Sequence, residues 1–156
     1  MKICRDISKL HPYCQKLVEL VLLECKLHNL PVEVFETIRT LDRQKEMLAA
    51  KTSKTLNSAH RLGLAVDFVF KGKKGWEFNR PKEDWDKLAK IIDSCGFYSI
   101  WINYGWDAPH GEIKFKSMTN AKLIKELDKR GNNLDLFYKE VIDPLVKKEK
   151  IKPLTK

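Results

Sequence analysis

Long apolar runs are missing from this sequence of 156 residues. A membrane-spanning helix needs about 20 consecutive apolar residues, and a secretory signal peptide needs a shorter apolar segment after a basic start. Charged residues instead interrupt the apolar residues of the N-terminal region. We therefore expect no membrane span, no signal peptide and synthesis in the cytoplasm.

Cysteine pairs with the spacing of a zinc site are also absent. The four cysteines are Cys4, Cys14, Cys25 and Cys95, and no two of them are separated by only two residues. Structural zinc sites that use cysteine usually contain such pairs, so we do not expect zinc held by cysteine. Cys14 and Cys25 fall at apolar positions of a predicted helix, which is typical of small core residues in a reducing compartment.

Positive charge, by contrast, is abundant. The formal net charge is +9, which suits a polyanionic partner such as nucleic acid, an anionic membrane surface or the anionic polymers of a bacterial wall. Charge alone does not choose among these partners. The chain lacks the basic and aromatic motifs typical of nucleic-acid-binding modules, so we expect no nucleic-acid partner.

The spacing of apolar residues predicts an α+β fold with a small, mainly antiparallel sheet and helices packed around it. No repeat and no linker rich in glycine, serine or proline divides the chain. We expect a monomer with a catalytic domain over residues 1–117 and a basic, helical C-terminal extension over 118–156 packed on it. Helices are predicted over Pro12–Leu27, Leu41–Lys51, from Pro81 to a stop at Gly96, over Ala121–Arg130 with Asn120 as its cap, and from Leu134 to about Lys150; strands are predicted over Val32–Phe35, Ala65–Phe70, Phe97–Ile102 and His110–Phe115, and an exposed loop over Lys71–Arg80.

Residues 57–68 contain the first candidate metal ligands of the sequence. His60 and Asp67 are potential metal ligands, and Gly63 and Ala65 between them are small enough to allow a close approach to a metal. Asp67 lies within a predicted buried strand, where an unpaired carboxylate would cost several kcal/mol. We therefore expect a cation or a metal beside Asp67.

His110 is the third candidate ligand. A His, Asp, His set leaves one coordination position open, which is typical of a catalytic rather than a structural zinc site. Asp107, three residues earlier, is positioned to act as a general base at the mouth of the site. Glu112 is an alternative, because it follows His110 by two residues and is either the base, a partner of an imidazole or a surface acid.

These residues resemble the signature of the zinc D-alanyl-D-alanine and L-alanyl-D-glutamate peptidases. This family includes phage endolysins and the carboxypeptidases and dipeptidases of vancomycin resistance. The resemblance extends over about residues 10–115, and its motifs are Ser58-x-His60-x-x-Gly63-x-Ala65-x-Asp67, Trp106-Asp107-x-x-His110 and, upstream, Arg39-Thr40 followed by Gln44.

The resemblance implies one zinc ion with His60, Asp67 and His110 as its ligands and Asp107 as the catalytic base. It implies that Arg39 stabilises an oxyanion or holds substrate, although a structural ion pair with Glu36 is the alternative. Ser58 and Trp106 are expected to contact the substrate. Ser58 can equally cap a turn. Gly111 departs from the bulky residue that many relatives carry after the second histidine, which predicts a wider pocket.

The expected reaction is hydrolysis of a peptide bond in the bacterial peptidoglycan stem. Small size, positive charge and the absence of a signal peptide favour an L-alanyl-D-glutamate endopeptidase of the phage endolysin type. Such an enzyme is bacteriolytic and antimicrobial, and it acts on the wall after release from the host cytoplasm. The alternatives are a D-alanyl-D-alanine carboxypeptidase or dipeptidase, and a non-catalytic zinc module that binds the wall.

Overall fold

The computed structural model describes residues 3–149 and has an α+β fold, as predicted. Within these residues no helix is both long and apolar enough to cross a bilayer. The helices are α1 (Pro12–Leu27), α2 (Leu41–Ala49), α3 (Lys82–Ser94), α4 (Ile100–Tyr104), α5 (Asn120–Lys129), α6 (Leu134–Phe137) and α7 (Asp143–Lys148), and the strands are β1 (Val32–Glu36), β2 (Ala65–Gly72), β3 (Gly75–Glu77), β4 (Tyr98–Ser99) and β5 (His110–Glu112).

One antiparallel sheet places the site. Its strand order is β1-β2-β5-β4, and β3 pairs with β2 as a hairpin. The central strand β2 brings Asp67 opposite Glu36 of β1 on one side and opposite His110 of β5 on the other. The pairing of β1 with β2 is irregular between Val34 and Glu36, so the β1 chain changes register next to Asp67.

The two faces of β2 have different surroundings. Phe68 and Phe70 are fully buried on one face, where Phe70 makes an edge-to-face contact with Trp85 of α3 at 5.0 Å between ring centroids. Alternation along a strand then turns Asp67 and Val69 to the opposite face, where both line an open cleft. The apolar core thus lies behind the sheet and the polar cleft in front of it.

Three segments differ from the predictions. Residues 97–102 form only the two-residue strand β4, and from Ile100 the chain is helical, because the Ser99 hydroxyl accepts a hydrogen bond from the Ile102 amide and caps α4. Residues 71–80 are not only a loop, since Gly75–Glu77 pairs with the end of β2. The predicted strand from His110 is also shorter and ends at Glu112.

The first C-terminal helix, α5, begins one residue earlier than predicted. Thr119, rather than Asn120, caps α5 by accepting a hydrogen bond from the Lys122 amide. The helix predicted from Leu134 is α6, a π-helical turn (Tyr138–Ile142) and α7 in succession. The Tyr138 hydroxyl donates to the Lys9 carbonyl at 2.8 Å, which ties this region to the N-terminal part. The boundary after residue 117 stays a prediction, and residues 150–156 of the predicted extension lie outside the described residues.

Candidate metal centre

His60 lies on a single turn of 3-10 helix (Ala59–Leu62) that begins and ends with distinct caps. Ser58 accepts a hydrogen bond from the His60 amide, and Gly63 closes the turn with a positive φ of 67°. The His60 Nδ1 atom is 2.7 Å from the Thr37 carbonyl oxygen, so it carries the proton and donates. His60 Nε2 is therefore the ring nitrogen that faces Asp67.

Asp67 joins the two histidines. Its Oδ1 atom is 3.3 Å from His60 Nε2 and 3.3 Å from His110 Nδ1. Burial raises the pKa of Asp67, but the charge of His60 and hydrogen bonds from both histidines outweigh it and hold the pKa well below its usual range. Asp67 is therefore an ionised carboxylate with one oxygen between the two imidazoles.

These three donor atoms meet the requirements of one zinc ion. They all lie within 4.8 Å of one another. Donors at zinc distances and tetrahedral angles are about 3.3–3.5 Å apart, which matches both separations from Asp67 Oδ1. The structure thus brings together the three predicted ligands, and two imidazoles with one carboxylate are a donor set that zinc accepts. The remaining histidines lie elsewhere: His11 pairs with Asp143, and His28 pairs with Glu24 at the end of α1.

The second nitrogen of His110 is held by Glu112. His110 Nε2 is 3.2 Å from Glu112 Oε1, and the other Glu112 oxygen accepts a hydrogen bond from Asn120 at 3.1 Å. Burial lowers the pKa of His110, but its hydrogen bonds to Asp67 and Glu112 dominate and raise it to about 10. Glu112 is 5% exposed and contacts the imidazole on the side away from Asp67. This is the contact expected of a residue that orients a metal ligand.

Arg39 links the cleft to β1 through a buried ion cluster. Its Nη2 atom is 2.9 Å from Glu36 Oε1 and 3.2 Å from Asp67 Oδ2, and its Nη1 atom donates to Gln44 at 3.3 Å. The ion pair with Glu36 is therefore present, and the same guanidinium also holds the Asp67 oxygen that faces away from the histidines. Among the described residues, Arg39 Nε is the one buried side-chain nitrogen or oxygen without a hydrogen-bond partner.

Asp107 lies in the loop before β5. Its φ is 55°, a left-handed conformation that non-glycine residues seldom adopt and that is common at functional sites. The turn is closed by the His110 amide, which donates to the Asp107 carbonyl oxygen at 3.2 Å. Desolvation within the cleft, followed by the negative charge of Asp67, raises the pKa of Asp107. Asp107 thus combines a cleft position with a raised proton affinity.

A cleft of about 540 Å³ contains the three potential ligands and Asp107. Trp106 stands at its rim, 47% exposed, and the Lys54 ammonium lies 4.7 Å from the centre of its indole ring. Ser58 lines the same cleft, although its hydroxyl is used as a cap. The structure therefore places all the predicted site residues at one cleft, while substrate contacts of Ser58 and Trp106 stay predictions.

Two glycines have roles other than those predicted. A side chain at Gly63 would collide with the Tyr138 hydroxyl, so this glycine makes room for the C-terminal helices rather than for a metal. A β-carbon at Gly111 would lie 2.8 Å from Ile92 and 3.1 Å from Phe97, behind the sheet. Gly111 faces the core because it alternates with His110 and Glu112, so it does not widen the pocket.

Two supporting residues of the site, Thr37 and Asn120, were not predicted. Thr37 acts through its backbone carbonyl, which carries no sequence signal. Glu36 was expected only as an alternative ion-pair partner of Arg39, and its burial, at 2% exposed, could have been inferred only from the alternation of β1. Asn120 contacts Glu112 across a separation of eight residues that includes the end of one strand and the start of a helix. These contacts arise from tertiary packing, which local spacing does not encode.

Comparisons with known proteins agree with this geometry. A family model described as D-alanyl-D-alanine carboxypeptidase matches residues 51–113, which include the three potential ligands and Asp107. The crystal structure of the L-Ala D-Glu endopeptidase ChiX from Serratia marcescens is similar, with a TM-score of 0.55 and 26% sequence identity over 71% of this chain and 85% of that chain. No curated protein sequence matches the chain.

Proposed function

Because this chain belongs to the family of D-alanyl-D-alanine carboxypeptidases and L-alanyl-D-glutamate endopeptidases, we propose that it hydrolyses a peptide bond of the peptidoglycan stem with the help of one zinc ion. One observation carries the proposal: the convergence of His60 Nε2, Asp67 Oδ1 and His110 Nδ1 on one point of an open cleft. The position of Asp107 on the same cleft supplies the group that a hydrolase needs next.

His60, Asp67 and His110 would hold the ion through these three atoms. When bound, zinc supplies Lewis-acid polarisation of the scissile carbonyl and makes water more acidic. The chain fixes the geometry in advance, since Thr37 holds one imidazole, Glu112 holds the other and Arg39 holds the free oxygen of Asp67. Such supporting contacts orient the ligands and reduce the cost of ordering them on binding.

Asp107 acts as the general base and then as the general acid. Its carboxylate takes a proton from the attacking water and returns it to the leaving amine as the peptide bond breaks. A raised pKa suits both steps, because the carboxylate must accept a proton at near-neutral pH. Glu112 is less suited to this task, because both of its oxygens are already bonded, one to His110 and one to Asn120.

Arg39 contributes a fixed positive charge beside the reacting groups. It neutralises part of the negative charge of Glu36 and Asp67, which would otherwise repel each other across the β1-β2 pairing. Arg39 also lines the cleft, so stabilisation of the developing oxyanion is a second role in the proposal. The buried and unpartnered Nε shows that its hydrogen-bonding capacity is not exhausted among the described residues.

We propose the L-alanyl-D-glutamate bond as the substrate and a role of the endolysin type in which the enzyme reaches the wall after release. The similarity to ChiX supports the first part, and the net charge of +9 supports attraction to an anionic wall. The D-alanyl-D-alanine bond is the second candidate, favoured by the description of the matching family model.

Digestion of purified peptidoglycan separates the two candidates. The zinc-loaded protein is incubated with intact wall, and the new amino termini and free amino acids are identified by mass spectrometry. We expect new N-terminal D-glutamate and no release of D-alanine. Free D-alanine without new N-terminal D-glutamate would assign the carboxypeptidase activity. The absence of both products would contradict the proposed function.

A further inference from the structure

Helix α5 lies beyond residues 51–113, where the family model matches, yet it touches the segments that carry both histidine ligands. Its apolar side, which includes Leu123 and Leu127, is buried in the core. Its polar residues are therefore held at defined positions. Asn120 in the first turn contacts a residue that is bonded to one histidine ligand, and Asp128 in the last turn contacts the residue next to the other.

The first connection passes through Glu112. Because Thr119 caps the helix, the Asn120 amide is free to donate to Glu112 Oε2 at 3.1 Å, while Glu112 Oε1 contacts His110 Nε2 at 3.2 Å. A carboxylate that is 5% exposed needs partners for both oxygens. Loss of the Asn120 amide would leave Oε2 unsatisfied, and Glu112 would move toward water and release the imidazole.

The second connection passes through Arg61, the residue next to His60. Arg61 is 4% exposed, and its Nη2 atom donates to Asp128 Oδ1 and to Asn132 Oδ1, each at 3.1 Å. Its Nη1 atom donates to the Leu56 carbonyl at 3.3 Å. The guanidinium thus fastens the turn that carries His60 to the C-terminal end of α5.

We propose that α5 is a positioning element of the metal centre, with Asn120 holding the Glu112–His110 pair and Asp128 holding the turn of His60 through Arg61. The inference rests on the proposed metal site and adds residues to which no metal-related role has been assigned. Asn120 is a positioning residue rather than a catalytic residue, because it acts through Glu112 on His110.

The test measures zinc affinity of the full chain, by competition with a chromophoric chelator, for wild type and for Asn120→Ala. We expect Asn120→Ala to weaken zinc binding about 10-fold, the lower end of the range for outer partners of zinc ligands. The free energy of unfolding of the metal-free protein should fall by less than the free energy of zinc binding does, because the freed Glu112 carboxylate turns to water, and the absorption spectrum of the cobalt-substituted protein should change. Lys125→Ala, an exposed change on the same helix, is the matched control and should bind zinc normally.

A double-mutant cycle with Glu112→Gln locates the effect. Asn120→Ala should cost little further affinity in the Glu112→Gln background, because the connection is already broken. The inference would be overturned if Asn120→Ala bound zinc with wild-type affinity, or if Asn120→Ala weakened zinc binding as much in the Glu112→Gln background as in wild type. It would also be overturned if the metal-free protein lost as much stability as the zinc-binding free energy that is lost. These results leave the proposed function intact, whereas failure of the wild type to bind zinc would overturn both.

Discussion

The floor and the rim of the cleft are built in different ways. On the floor, each candidate ligand is fixed by a second contact: His60 by Thr37, Asp67 by Arg39 and His110 by Glu112. The rim consists of exposed side chains, and Trp106 and Lys54 are joined there by a single cation–π contact.

This difference separates chemistry from recognition. Buried polar groups that bond to one another hold one geometry, which a metal site requires. Exposed lysine and tryptophan side chains adapt at low cost and can accommodate a branched peptide with carboxylates. We therefore expect changes on the floor to alter kcat or zinc affinity, and changes at the rim to alter KM.

Asp107→Asn should have the largest effect on turnover. The amide cannot accept the proton of the attacking water, so kcat should fall by about 10²–10⁴ while zinc affinity stays close to wild type. Steady-state cleavage of purified peptidoglycan measures the loss. Asp93→Asn removes the same charge from an exposed site on α3 and serves as the control. Lysis at the wild-type rate in Asp107→Asn would remove Asp107 from the mechanism and favour a non-catalytic zinc module.

Glu112→Gln should mainly weaken zinc binding. The amide binds the His110 imidazole less strongly than the carboxylate does, so zinc affinity should fall about 10–100-fold. With zinc in excess, kcat should recover far more than it does in Asp107→Asn. Normal zinc affinity combined with lost turnover would instead identify Glu112 as the general base.

Trp106→Ala tests the rim. An exposed cation–π contact contributes about 0.5–1 kcal/mol, so a substrate that uses the same surface should show KM raised by about 2–5-fold with kcat unchanged. Lys54→Ala should produce a similar change, and the double variant should lose little more if the pair acts as a unit. A drop in kcat with constant KM would place Trp106 among the catalytic groups.

His11→Gln should have the smallest effect of these changes, on the pH dependence of stability, because His11 does not line the cleft. Burial lowers the pKa of His11, and the contact with Asp143 offsets this only in part. The unfolded chain therefore binds the proton more readily, so the His11 contribution to stability is present above the normal pKa of about 6.5 and decreases below it. Urea unfolding of the metal-free protein at pH 7.0 and 5.5 should show a smaller acid-induced loss in His11→Gln than in wild type. An equal acid-induced loss of stability in His11→Gln and wild type would contradict the assignment of this pH dependence to His11.

The sequence predicted those parts of the structure that depend on local spacing. Helix α1 has the predicted bounds, and β2 begins at the predicted Ala65 and carries Asp67. Residues 97–102 were assigned to a strand because aromatic and β-branched residues favour one, but capping by Ser99 and termination at Gly105 produce a helix. Local capping signals outweighed the strand preference there.

The site, by contrast, shows a division between local and tertiary information. Spacing and motif identified the three candidate ligands and Asp107. The contacts that orient them were not predictable, because Arg39 reaches Asp67 and Asn120 reaches Glu112 only after the sheet and α5 have packed. Thr119 and Asn120 are both good capping residues, so the sequence alone could not assign the cap.

The most direct test of the central claim is peptidoglycan cleavage before and after zinc is removed. The protein is stripped with a chelator, shown to be metal-free by mass spectrometry and titrated with zinc while released amino groups are counted. We predict no cleavage without metal and full recovery at one zinc ion per chain in wild type, with no recovery in His110→Ala. Cleavage at the wild-type rate by the metal-free protein would contradict the account.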